Sequence, residues 1–248
     1  MNDQNKLIVA LDVDTPSRAL EIVDQLRDVA GAFKIGSQLF TAAGPDIVRR
    51  VVAGGGNVFL DLKFHDIPNT VASAAIEAVR LGVSIFNVHA AGGRKMMETV
   101  MEATYSESVR LGVPPPLLIA VTVLTSSDDS TLVECGVNSA VGEQVVRLAN
   151  LTRESKLNGV VASPQEIRLV REAIPDREFV IVTPGVRPAG ADIHDQKRVM
   201  TPSEAIAAGA NYIVVGRPIT SAPDPTFAAQ RVLDEIIASS TSNLTSNL

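Results

Sequence analysis

The sequence holds a single cysteine, Cys135, and only three histidines. One cysteine excludes an intrachain disulfide and fits a reducing cytoplasm. So few histidines and thiols offer no zinc-like ligand cluster, and no metal is expected. Basic residues are in the minority: 22 Lys and Arg stand against 28 Asp and Glu, a formal net charge of -6. That balance argues against a nucleic-acid-binding surface, which is normally basic. It leaves room for a small basic pocket that takes an anionic metabolite. No apolar stretch approaches the roughly 18 residues of a membrane span. The start, MNDQNK, runs straight into LIVALDV without the basic start and cleavage site of a signal peptide. The expectation is a soluble cytoplasmic protein with no membrane or nucleic-acid partner.

What is present is a rhythm. Across 248 residues, β-branched apolar runs recur as KLIVALDV (6–13), AFKIGS (32–37), NVFLDLKF (57–64), SIFNVHA (84–90), LLIAVTVL (117–124), GVVAS (159–163), EFVIVTP (178–184) and YIVVG (212–216). Near-continuous apolar runs mark parallel strands covered on both faces. Helical patterns lie between them, as where Ala19, Ile22, Val23, Leu26 and Val29 share one face. Thr15-Pro16 and Asp224-Pro225 are helix starts. Ser163-Pro164-Gln165-Glu166 and Thr201-Pro202-Ser203-Glu204 read as full capping boxes with proline at the first helical position. Gly31, Gly82, Gly112 and Gly209 end helices, and Gly54-Gly55-Gly56 reads as a turn before a strand. Eight strands alternating with helices predict a single-domain (β/α)₈ TIM barrel over 1–238, followed by a frayed polar tail over 239–248. A doubly wound open sheet has the same strand count and stays open as the alternative.

A barrel gathers chemistry at the C-terminal ends of its strands. There the sequence places Asp12, Lys34, Asp61 and Lys63, Asn87 and His89, Thr125 and Ser126, Arg187, and Gly216-Arg217. The stretch DLKFHDIPNT is the densest, with Asp61, Lys63 and Asp66 within six positions. Strand neighbours at i and i+2 share a face, so Asp61 and Lys63 should project together. A buried salt-bridge network is the structural alternative, but buried ion pairs seldom stabilise more than apolar packing. Taken alone, Asp12 or Lys34 fits a structural role as well as a functional one. His89 fits a core or supporting histidine better than a catalyst. Arg217 fits either the surface or a phosphate site near a helix start.

A lysine between two carboxylates is held as the ammonium ion, which favours proton donation over nucleophilic attack. A carboxylate beside the reacting atom favours departure of a negatively charged substrate group. Arginine with backbone amides opposite could anchor a phosphate. Together these describe a phosphorylated substrate that loses a carboxylate and gains a proton, without a cofactor.

The ordered set IVALDVD, FKIG, DLKFHDIPNT, NVHAAGG, AVTVLTS, TPGVRP, DQKR and VVGRPI covers nearly the whole chain and resembles the orotidine 5′-phosphate decarboxylase family. The resemblance implies decarboxylation of orotidine 5′-monophosphate to UMP, the last step of de novo pyrimidine synthesis, with no cofactor. It implies that Lys63 is the proton donor and that Lys34, Asp61, Lys63 and Asp66 form an alternating charged array. It further implies a homodimer in which Asp66 and Thr70 serve the partner's site. Asp12 and Lys34 would contact the ribose, and Thr125 and Ser126 the pyrimidine. Arg187, Gln196, Gly216 and Arg217 would lie on the phosphate side, with Gln196 on a closing loop. The nearest rivals are magnesium-dependent sugar-phosphate lyases of the same structural group, a hexulose-phosphate synthase or a keto-gulonate-phosphate decarboxylase. Those need a further acidic metal ligand, where this sequence has Lys34. A Schiff-base aldolase needs a lysine of lowered pKa, which flanking aspartates oppose. A non-catalytic phosphate-binding barrel leaves the charged trio unexplained.

Overall fold

One strand forms within each apolar run: β1 Leu7–Ala10, β2 Ala32–Gly36, β3 Val58–Phe64, β4 Ile85–His89, β5 Leu117–Val121, β6 Gly159–Val161, β7 Val180–Pro184 and β8 Tyr212–Val215. The computed structural model describes residues 6–188 and 200–245. Each strand pairs in parallel with the next, and β8 returns to β1 with Leu7 opposite Ile213. That closing pair makes the sheet a barrel and excludes the open-sheet alternative.

The period of two along each strand sorts the core into two layers. Ile8, Ala10, Ala32, Phe59, Ile85, Ile119, Val180, Val182 and Val214 fill the barrel interior. The alternate residues, among them Leu7, Val9, Phe33, Ile35, Phe86 and Ile181, face outward under the helices. Counting upward by twos along the inward face leads from apolar filling to polar groups: Ala10 to Asp12, Ala32 to Lys34, Phe59 to Asp61, and Ile85 to Asn87 and His89. The strand sequence thus builds both the floor of a site and its charges.

Thr15 accepts the Arg18 amide at the start of helix Pro16–Leu26. Thr201 and Glu204 form a full capping box on helix Pro202–Ala208, as expected. Ser163 departs from expectation. Its hydroxyl bonds the Glu166 carboxylate rather than a backbone amide, and a 3₁₀ turn, Pro164–Glu166, precedes helix Ile167–Ala173. Both side chains are buried, where each finds its partner in the other. Gly54 and Gly55 form the turn between helix Asp46–Ala53 and β3. The last helix runs Pro225–Thr245 and so enters the segment read as a polar tail.

Candidate active site

The inward residues at the strand ends line a cavity of about 340 Å³. Its floor is Ala10, Phe59, Val161, Val182 and Val214, and its rim includes Asp12, Lys34, Asp61, Lys63, Thr125, Arg187, Gly216 and Arg217. That size suits a small ligand held on an apolar base by a few convergent polar groups.

Four charges run in a chain along one wall. Lys34 Nζ lies 3.0 Å from Asp12 Oδ1 and 3.4 Å from Asp61 Oδ2, and Lys63 Nζ lies 2.7 Å from Asp61 Oδ1. The Lys34 and Asp61 side chains are each only 12% exposed, so their pair is a desolvated contact, whereas Asp12 and Lys63 at its two ends are 53% and 34% exposed. Gly36 makes room for them: a Cβ there would stand 3.0 Å from Lys34 Nζ and 3.4 Å from Asp12 Oδ1. Asp61 is the hub, since Asn87 also donates its amide to Asp61 Oδ1 at 2.7 Å.

Asp61 and Lys63 do meet, but not as neighbours on a regular strand. Lys63 adopts a left-handed backbone, φ 53°. The pairing of β3 with β4 jumps from Leu60↔Phe86 to Phe64↔Val88. A bulge of this kind re-aims a side chain, and here it turns the ammonium toward the cavity.

Asp66 and Thr70 are not brought to this cavity. Asp66 is exposed and accepts the Ile67 amide at 2.6 Å, and Thr70 is exposed near the start of helix Pro68–Arg80. Thr125 lines the cavity, while Ser126 is exposed and does not. Arg187 is buried, and its amide donates to Met200 across a short bridge between Val186 and Met200. Gln196 lies outside the described residues. His89 is half-buried, its ring 5.6 Å from that of the exposed His65. Burial first, then the neighbouring His65 and Lys63, hold its pKa below the usual histidine value, with Asp61 opposing. The neutral imidazole is thereby favoured beside the charged wall.

Asn87 is the functional-wall residue whose part the strand-end inventory leaves undefined. Its signal was the single amide on the inward face of the apolar run SIFNVHA. Among the described residues, no group of three or more His, Cys, Asp or Glu is placed to hold a metal ion. The space between Asp12 and Asp61, where two carboxylates would otherwise attract a cation, is filled by Lys34 Nζ.

A model of the orotidine 5′-phosphate decarboxylase / HUMPS family matches residues 5–232. An orotidine 5′-phosphate decarboxylase of Syntrophotalea carbinolica is 57% identical over 235 residues, covering 95% of this chain and 96% of the relative. One of Moorella thermoacetica is 57% identical over 237 residues, covering 95% and 94%. Among solved structures, an orotidine 5′-phosphate decarboxylase from Lactobacillus acidophilus superposes with a TM-score of 0.80 at 39% identity, over 93% of this chain and 98% of that one.

Proposed function

The chain belongs to the orotidine 5′-phosphate decarboxylase / HUMPS family, and on that premise we propose that it converts orotidine 5′-monophosphate to UMP and CO₂. The observation that carries this reading is the chain of charges Asp12–Lys34–Asp61–Lys63 above an apolar floor. In this reading the C6–carboxylate bond breaks, the electron pair stays on C6 and CO₂ leaves. Lys63 Nζ then passes a proton to C6 and recovers one from solvent. Asp61, its side chain only 12% exposed, holds that ammonium in place and crowds the departing carboxylate.

The remaining roles are those the family resemblance implies for residues on the rim. Asp12 and Lys34 take the ribose, Thr125 the pyrimidine, and Arg187 and Arg217 the phosphate beside the Gly216 backbone, while Ser126 lies off the rim. Gln196 would join the phosphate from its own segment. Binding energy from a phosphate far from C6 supports the chemistry by organising the site. Asp66 and Thr70 are exposed outside their own cavity, with Ile67 between them 67% exposed. We assign this rim to a second copy of the chain, so that a homodimer completes each site. With its one cysteine exposed and free, the protein suits a reducing compartment, and the cytoplasm is the proposed location.

Purified protein mixed with orotidine 5′-monophosphate and chelator should convert the substrate's ultraviolet spectrum to that of UMP. An unchanged spectrum, with turnover of a sugar phosphate on adding magnesium, would replace this reading with the lyase branch of the family.

A further inference from the structure

We propose that Asn87 is a positioning residue for the proton donor: its side-chain amide clamps the Asp61 carboxylate and the Lys63 backbone into one unit. The proposal rests on the decarboxylase reading for its effect on turnover and on geometry for the clamp itself.

Where β3 bulges, Asp61, Leu62 and Lys63 lie between two paired positions that β4 spans with Asn87 alone. The ladder therefore cannot supply partners in the usual way, and buried polar groups must find others. Asn87 supplies them. Its Oδ1 accepts the Lys63 N–H at 2.8 Å, and its Nδ2 donates to Asp61 Oδ1 at 2.7 Å. The same Asp61 oxygen accepts from Lys63 Nζ at 2.7 Å. The ring of contacts runs from the Lys63 amide through Asn87 and Asp61 back to the Lys63 ammonium.

Asn87 is fully buried, so no water competes for either bond. Only one amide orientation satisfies both neighbours, because a carboxylate cannot donate and a peptide N–H cannot accept. Aspartate in its place would set a second carboxylate against Asp61, and leucine would leave both bonds unmade. A left-handed lysine is uncommon and persists only where its surroundings hold it. Asn87 is the group that holds it. The residue touches no reacting atom; it fixes the direction from which the ammonium approaches.

The test compares Asn87→Ala with the similarly branched but apolar Asn87→Leu, so that failure of one to fold leaves the other to decide. In both, kcat for orotidine 5′-monophosphate should fall about 10- to 100-fold, as expected for a misplaced reacting group. KM and the Kd for UMP should stay within about threefold, because the phosphate and ribose contacts lie elsewhere. Amide hydrogen exchange at Lys63 should quicken at least about tenfold over wild type as its acceptor is lost. A kcat within about twofold of wild type, or unchanged exchange at Lys63, would overturn the clamp. Wild-type protein without turnover would remove the decarboxylase reading, while exchange at Lys63 would still decide the clamp.

Discussion

At the mouth of the barrel where strands begin, polar side chains serve the backbone. Asn158 Oδ1 accepts the Leu118 amide and Asn211 Oδ1 the Ile181 amide, both at 2.8 Å, and Asn57 donates to the Gly31 carbonyl at 3.0 Å. Arg171, buried there, donates to the carbonyls of Gly209, Asp176 and Phe179. Its burial, then Arg177 nearby, lowers its pKa to about 10, with Asp176 opposing. At the opposite mouth the charged side chains serve one another: Asp12, Lys34, Asp61 and Lys63 bond in series and face a cavity. The first arrangement commits these polar groups to the fold. The second keeps charge concentrated where stability gains little from it. Buried polarity alone does not mark a site; what marks it is whether the partners are backbone or other reactive groups.

That contrast breaks most readily at Asp61. Asp61→Asn removes the charge that joins Lys34 to Lys63 and should lower kcat about 10³-fold, the range for losing an organised electrostatic contact. The stability curve in urea should shift little. Equal losses of fold and turnover would instead make the upper mouth a structural element like the lower.

The partner-served rim gives the next largest effect. Lys63→Ala and Asp66→Ala, each inactive alone, should recover roughly a quarter of wild-type turnover when mixed and re-equilibrated, since half of the dimers are mixed and each has one complete site. No recovery on mixing would place Asp66 outside the partner's site.

The lower mouth should respond in the opposite sense. Arg171→Met leaves the Gly209, Asp176 and Phe179 carbonyls without this donor and should cost about 3 kcal/mol of unfolding free energy, with kcat unchanged. Asn158→Ala should cost about 1 kcal/mol by the same reasoning. A turnover defect in either would blur the division between the mouths.

The smallest effect lies outside both mouths. Glu107 joins helix Pro68–Arg80 to helix Gly93–Leu111, and hydrogen bonds from Arg110 and then Arg80 hold its pKa down at about 2. Its folded pKa is depressed, so its contribution is present above the ordinary carboxylate range and is lost as pH falls toward 2. Glu107→Gln should lower stability at neutral pH and flatten the acid limb, so that variant and wild type converge as pH falls toward 2. An unchanged acid limb would mean that the two arginines add nothing there.

Much of this was legible beforehand because period-two alternation is written residue by residue. Each apolar run holds one strand, and Asp12, Lys34 and Asp61 lie where counting by twos from the core puts them. The bulge was not legible. Lys63 looks like the next inward residue after Asp61, yet its direction depends on how β3 registers against β4, a relation between distant segments. Asn87 gains its meaning from the same register. Ser163 misled for another reason: its capping pattern is local, but burial beside Glu166 let the two side chains satisfy each other. Asp66 and Thr70 look contiguous with the site in sequence, and only the turn after β3 carries them outside the cavity.

The most direct measurement of the central claim is Lys63→Ala beside wild type, with decarboxylation of orotidine 5′-monophosphate and thermal unfolding followed on the same preparations. The account predicts turnover reduced about 10³-fold or more and a Tm within about 3 °C of wild type, because this ammonium is placed for proton transfer rather than for holding the barrel. Turnover preserved within about tenfold, or a collapse of Tm that carries activity down with it, would contradict the account.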